Sequence, residues 1–368
     1  MAITRVRLHR QLHPFRRGGY AMHYGSVAGE ESFVVALEDD SGITGYGEVA
    51  MLDGRYSEAF PAGVPAGVGF LAPTLLGLDA TDPAAVAGAM DHELLGQAYI
   101  KTAVDIAAWD AAGKARNVPL CALTGGTPGE AVALYDVVTA GGSDDEAVAL
   151  ALDLLARGFR RLQVKVGGDP AADAARLRRV RSAVPGDVVL FADANTGFGL
   201  DDARAFLAAT ADLDFTFEQP CATIDECAAL RDACPHPLVL DESITTLEDL
   251  RRAHRDAGAD GVTIKLGRVG GITPAVAIRD EAVALGMTVT VEAIGGASIG
   301  TAAFTHLAVG VPAPLRCHTV DFHRWWTADN GTGMPAAVDG AQSPPTGPGL
   351  GIAVDEAALG APILDVVA

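Results

Sequence analysis

Leu162-Gln163-Val164-Lys165-Val166-Gly167 decides how this chain reads: a short apolar run, an ionisable residue at its end, then a glycine turn. The unit returns along the sequence. Phe191-Ala192-Asp193-Ala194-Asn195, Phe217-Glu218-Gln219-Pro220, Leu240-Asp241-Glu242-Ser243 and Thr263-Ile264-Lys265-Leu266 repeat it, and the run 288–291 leads into Glu292. The intervals separating Lys165, Asp193, Glu218, Asp241, Lys265 and Glu292 are 28, 25, 23, 24 and 27 residues. That spacing holds one strand, one amphipathic helix and two turns, so the strands are parallel and the helices cross between them.

The runs at 162–166, 188–192, 215–217, 238–240, 261–264 and 288–291 are strands two to seven of this pattern. With an opening strand near Leu134 and a last one at 315–320 there are eight, the number that closes a (β/α) barrel. Several helices should open on a capping box, in which a hydroxyl and a glutamate three residues on satisfy free N–H groups: Ser143/Glu146, Thr223/Glu226 and Thr245/Glu248. Gly158 should end the first of these helices. A doubly wound open sheet, the competing architecture, would usually carry a glycine-rich fingerprint after its first strand, and none is present.

Outside this repeat the pattern changes. Residues 33–37 are strand-like, Asp39-Asp40-Ser41-Gly42 is a turn signal, and 94–114 has helical spacing, so the first hundred or so residues form an α+β segment. After Trp325 the alternation stops, and the proline- and glycine-rich 343–351 is expected to pack back on the N-terminal region. The expected division is a capping domain at 1–125, the barrel at 126–324 and a returning tail at 325–368.

Composition narrows the function. The 368 residues are 49% hydrophobic and 20% charged, with a formal net charge of -20. Nucleic acid and anionic membranes want a basic face, so neither is an expected partner. No secretory leader or long apolar span is read, and the five cysteines form no CxxC pair. A cytoplasmic enzyme with reduced cysteines follows from that reading.

A barrel presents its chemistry at the C-terminal ends of its strands. Asp193, Glu218 and Asp241 on successive strands would repel one another at one mouth. A divalent cation resolves this, and an all-oxygen donor set favours magnesium, with manganese as the alternative, over zinc. Lys165 and Lys265 flank the trio on strands two and six, on opposite sides of the barrel. Their apolar neighbours suggest burial, which should lower their pKa and ready them as bases. The pairs Gly270-Gly271 and Gly295-Gly296 are read as tight turns, and Trp325-Trp326 as packing against the cap.

These motifs together, with Gly349-Leu350-Gly351 in the tail, resemble the enolase superfamily in its mandelate racemase and muconate lactonizing branch. The resemblance spans essentially the whole chain. It implies a modified TIM barrel, (β/α)7β, behind an α+β cap whose loops around 13–24 and 51–56 close over substrate. It also implies magnesium on Asp193, Glu218 and Asp241, an enediolate formed from a substrate carboxylate, and Lys165 and Lys265 as acid/base pair of the muconate lactonizing subgroup. The His-Asp dyad of the mandelate racemase type is replaced by Lys265 and Glu292. The usual Lys-x-Lys reads Gln163-Val164-Lys165 here, which with Glu218-Gln219-Pro220-Cys221 is similar to relatives acting on proline derivatives, the proline-betaine epimerases and cis-3-hydroxy-L-proline dehydratases.

The expected activity is removal of the proton next to a carboxylate, as a racemase, epimerase or dehydratase of a proline-type amino acid or betaine. Tyr56, Glu292, Asp321 and Phe322 are candidate pocket residues, and Gln163, Asn195, Gln219 and Glu242 candidate supports. The alternatives are a dicarboxylate cycloisomerase, a dipeptide epimerase (which would want Asp-x-Asp where Asp321-Phe322-His323 stands), a non-catalytic carboxylate-binding barrel and a Schiff-base aldolase. A small-molecule carboxylate is the expected partner, in a homo-oligomer.

Overall fold

The structure is a computed structural model that describes residues 1–22, 25–52, 56, 59–139 and 142–368. Its N-terminal part is an antiparallel sheet made by Ile3–Pro14, Gly29–Asp39 and Thr44–Met51, with Leu364–Val367 of the tail added beside the first strand. The turn joining the second and third strands is built by Asp39, whose Oδ1 accepts hydrogen bonds from the N–H groups of Ser41 and Ile43, each at 2.9 Å. An aspartate that bonds its own downstream backbone is a turn-maker.

Helix Ala98–Arg116 lies across this sheet. The two approach so closely that a Cβ on Gly45 or Gly47 would sit 2.1 Å from the Ala107 carbonyl oxygen or 2.0 Å from that of Ala103. The helix begins four residues later than its apolar spacing suggests, because Gly96 and Gln97 are both left-handed, at φ +63° and +53°.

Seven parallel strands follow in chain order around one curled sheet: Tyr135–Val138, Arg161–Lys165, Val189–Asp193, Thr216–Glu218, Leu238–Leu240, Gly261–Lys265 and Thr288–Glu292. Segment 315–320 takes the eighth position. Parallel bridges Val289↔Arg316 and Leu134↔Thr319 join it to the seventh strand and to the residue before the first, so the barrel closes as (β/α)7β. The strands are buried on both faces and read as near-continuous apolar runs, as parallel sheets do.

The crossover helices start largely where the hydroxyl residues say. Ser143/Glu146 and Thr223/Glu226 form complete capping boxes. The third box is one residue displaced: Thr246 caps the helix with Asp249, and Thr245 also hydrogen-bonds Asp249 rather than pairing with Glu248. Starting at Leu247 points Leu250 into the core, and burial of that side chain sets the phase.

Cap and barrel are joined through helix starts. Asp105, on the cap helix, accepts from the N–H groups of Ile272 and Thr273 at 2.6 and 3.0 Å. Helix Ser298–Ala308, which follows the seventh strand, is capped entirely from elsewhere. Glu48 of the cap accepts from Ala297 and Gly300, while Asp329 and Asn330 of the tail accept from Ser298 and Ile299. Glu30 holds the Gly296 N–H at 2.6 Å. These acceptors satisfy groups that a helix cannot satisfy internally. No helix among the described residues is long and apolar enough to cross a membrane.

Candidate active site

The register of the sheet puts the ionisable residues on one rim. Lys165 stands beside Asp193, Asp193 beside Glu218, and Lys265 beside Glu292. All are nearly inaccessible, with Lys165 at 5% and Lys265 at 7% exposure.

Each lysine is held by carboxylates. Lys165 Nζ lies 2.5 Å from Asp193 Oδ2. Lys265 Nζ lies 2.9 Å from both Asp241 Oδ2 and Glu292 Oε1, and 2.5 Å from the Tyr56 hydroxyl. Burial works against both ammonium groups, as expected for an apolar setting, but the adjacent carboxylates overcome it, and both lysines are raised well above the usual range. This corrects the expectation of depressed lysines, which weighed the apolar neighbours in sequence and not the carboxylates on the next strands.

Glu218 is the converse. Burial and the charges of Asp193, Asp241 and Glu292 push its carboxyl well above the carboxylate range. Gln163 Nε2 and Thr263 Oγ1 each donate to it at 2.9 Å. The glutamine that replaces the first lysine of strand two therefore contributes a neutral donor to this carboxylate. Glu242 is also pushed up, to about 7, by burial and by Asp241 and Asp193.

Neighbouring residues fix the rim. Gln219, at φ +32°, accepts with Oε1 from the N–H groups of Asp241 and Ser243 at 2.8 and 3.3 Å. The Asn195 N–H donates to Asp193, and its side-chain amide donates to Glu242 at 3.0 Å. Such contacts set side-chain orientation as much as the charged groups themselves do.

Asp193, Glu218 and Asp241 are the residues able to hold a divalent cation. Their chemistry fits one: the donors are hard oxygens, and Glu218 is penalised by negative charge that a cation would balance. As placed, Asp193 turns to Lys165, and Asp241 turns to Lys265 and Arg268, so no three acidic groups among the described residues converge on one point.

The rim opens on a small cavity, about 30 Å³, into which Lys165, Lys265, Gln163, Asn195 and Glu292 reach from the barrel. Tyr20, Leu52 and Tyr56 of the cap, Phe322 at the end of the barrel, and Trp325 and Trp326 of the tail close it. Tyr56, Glu292 and Phe322 thus share the chamber with both lysines, whereas Asp321 lines a neighbouring one. His23 and Tyr24 of the first lid, and 53–55 of the second, lie outside the described residues.

Two participants were not singled out by the sequence reading. Arg268, partly buried, donates to the Asp241 carboxylate at 2.5 Å and to its carbonyl at 3.0 Å. Tyr135 donates to Glu292 Oε2 at 2.6 Å. The arginine's place one helical turn past Lys265 was the available signal; Tyr135 had none beyond lying on the opening strand.

Comparison with known proteins places the chain in a family. Residues 3–125 match the profile of the mandelate racemase / muconate lactonizing enzyme N-terminal domain, and 146–358 match that of the enolase C-terminal domain-like family. A cis-3-hydroxy-L-proline dehydratase of Roseibium aggregatum is 36% identical over 365 residues, 99% of each chain. An N-succinyl-L-Arg/Lys racemase of Bacillus cereus is 29% identical over 84% of each. An enolase superfamily member from Roseovarius nubinhibens, solved as a magnesium complex, superposes with a TM-score of 0.95 at 32% identity over 100% of both chains.

Proposed function

The chain is an enzyme of the mandelate racemase/muconate lactonizing enzyme family in the enolase superfamily, and on that premise we propose that it dehydrates a hydroxylated proline-type amino acid by removing the proton α to its carboxylate. The observation that carries the reading is the pair of buried lysines. They reach one chamber from opposite sides of the barrel, each held by strand-end carboxylates.

Asp193, Glu218 and Asp241 would hold magnesium, which when bound supplies positive charge to the substrate carboxylate. Asp193 helps to keep Lys165 charged, and Asp241 and Glu292 together keep Lys265 charged. With Asp193 and Asp241 engaged by a bound cation, each lysine would lose a carboxylate partner, and burial would favour its neutral, basic form. One lysine takes the Cα proton. The C–O bond at the adjacent carbon breaks, the electron pair of the lost C–H becomes the Cα–Cβ double bond, and the hydroxyl leaves as water with a proton from an ammonium group. Tyr56 and Glu292 orient Lys265. The aromatic lid of Tyr20, Phe322 and Trp325 keeps bulk water from the chamber.

Racemisation is the second reading, favoured by the same pair of lysines: a proton lost to one face returns from the other. Proton NMR in D2O with magnesium separates the two. The panel would hold both proline enantiomers, their betaines, and 3- and 4-hydroxyprolines. Appearance of an olefinic or imine product from a 3-hydroxyproline supports dehydration, and Cα exchange with inversion and no product supports racemisation. Exchange that survives in Lys165→Ala and Lys265→Ala would overturn the lysine mechanism.

A further inference from the structure

Next to the catalytic chamber lies a second, larger one of about 530 Å³. The two share Phe15, Tyr20 and Trp325 as a common aromatic wall. The outer chamber has an unusual lining for a chain of net charge -20. Arg16, Arg17, Arg157 and Arg324 converge on it, against the two carboxylates of Asp136 and Asp321.

Among the described residues the pairing inside it is incomplete. Arg17 and Arg157 share one carboxylate, Asp136, at 3.1 and 3.6 Å. Arg157 also lies 3.7 Å from Asp153, on its own helix. Arg324 is 3.7 Å from Asp321, too far for a hydrogen bond. Arg16 spends one nitrogen on the Trp326 carbonyl at 2.7 Å. The side chains of Arg17, Arg157 and Arg324 are 55%, 40% and 53% exposed, so they are free to meet a guest. Guanidinium groups present donors in a fork that matches a carboxylate.

Size adds a second argument. The inner chamber, at about 30 Å³, has room for about two waters and cannot admit an amino acid until its wall moves. The outer chamber can hold one whole. Its mixture of arginines with Asp136 and Asp321 offers partners to both ends of a zwitterion.

We propose that the outer chamber is an anion-binding antechamber of the catalytic site, which holds the carboxylate of an amino-acid-like molecule on its way past the Phe15, Tyr20 and Trp325 wall. The identity of that guest rests on the function proposed above. The affinity for anions does not, and it is measurable without turnover.

Trp325 reports on the chamber directly. Iodide, an anionic quencher of tryptophan fluorescence, is compared with neutral acrylamide on the full-length protein, and Trp325→Phe identifies the Trp325 component. Iodide is expected to quench that component efficiently despite the net negative charge, and sulfate at matched ionic strength is expected to protect it. Arg324→Gln, and separately Arg17→Gln, which leaves Arg157 on Asp136, should each lower the iodide constant about twofold or more while the acrylamide constant is unchanged. An iodide constant unmoved in both variants, or absence of sulfate protection, would overturn the antechamber. The NMR panel scores the catalytic reading separately, so an inactive protein that still concentrates iodide refutes the one and keeps the other.

Discussion

Replacing Gly295 by alanine probes the joint between cap and barrel. Gly295 follows Glu292 in the turn that leads to helix Ser298–Ala308, and its φ is not in the left-handed region, so alanine meets no backbone penalty there. The obstacle is steric. A Cβ would lie 1.6 Å from Glu30 Oε2 and 2.5 Å from Glu30 Cδ. Glu30 cannot swing clear at no cost, because it is buried at 3% exposure and its other oxygen accepts from the Gly296 N–H at 2.6 Å. Moving it loses that hydrogen bond, about 1 kcal/mol, and the overpacking adds roughly 1–3 kcal/mol. Gly295→Ala should therefore cost about 2–4 kcal/mol, read as a lower urea midpoint at unchanged m-value. Glu30→Ala removes both the obstacle and the hydrogen bond, so the double variant should be less destabilised than the sum by about 2–4 kcal/mol. A Gly295→Ala protein within about 0.5 kcal/mol of wild type, or strict additivity in the double variant, would refute the account.

Lys165→Ala and Lys265→Ala should each reduce α-proton exchange by roughly 10²–10⁴-fold, measured by NMR at saturating substrate. Magnesium added after treatment with EDTA should raise the melting temperature progressively, by about 2.7 kcal/mol of stabilisation at a hundredfold excess over Kd, and Asp193→Asn or Glu218→Gln should abolish the response. Asp105, pushed up to about 7 by burial, keeps its proton in the folded protein between about pH 4 and 7, where the unfolded chain has lost it. Stability should fall as pH rises through that window, by at most about 4 kcal/mol, and Asp105→Asn should flatten the loss in urea melts at pH 5 and 8.

The barrel and its rim were legible because the signal is repetitive: an apolar run, a charged end and a helix, spaced evenly enough that Lys165, Asp193, Glu218, Asp241, Lys265 and Glu292 had to share one mouth. What escaped depends on neighbours remote in sequence. The charge state of the lysines is set by the adjacent strands, not by Val164 or Ile264. Arg268 matters because it reaches back to Asp241. The outer chamber draws its arginines from three separate stretches of chain, none of which looks unusual alone. Even the displaced cap at Thr246 follows from the burial of Leu250, a tertiary fact.

The borrowed caps on helix Ser298–Ala308 also impose an order on synthesis. Glu48, the acceptor for Ala297 and Gly300, precedes the helix in the chain, whereas Asp329 and Asn330, the acceptors for Ser298 and Ile299, follow it. The start of the helix beside Glu292 is therefore fully capped only once the tail has been made. A chain whose translation stops before residue 329 is expected to yield a barrel that is assembled but slack at its mouth.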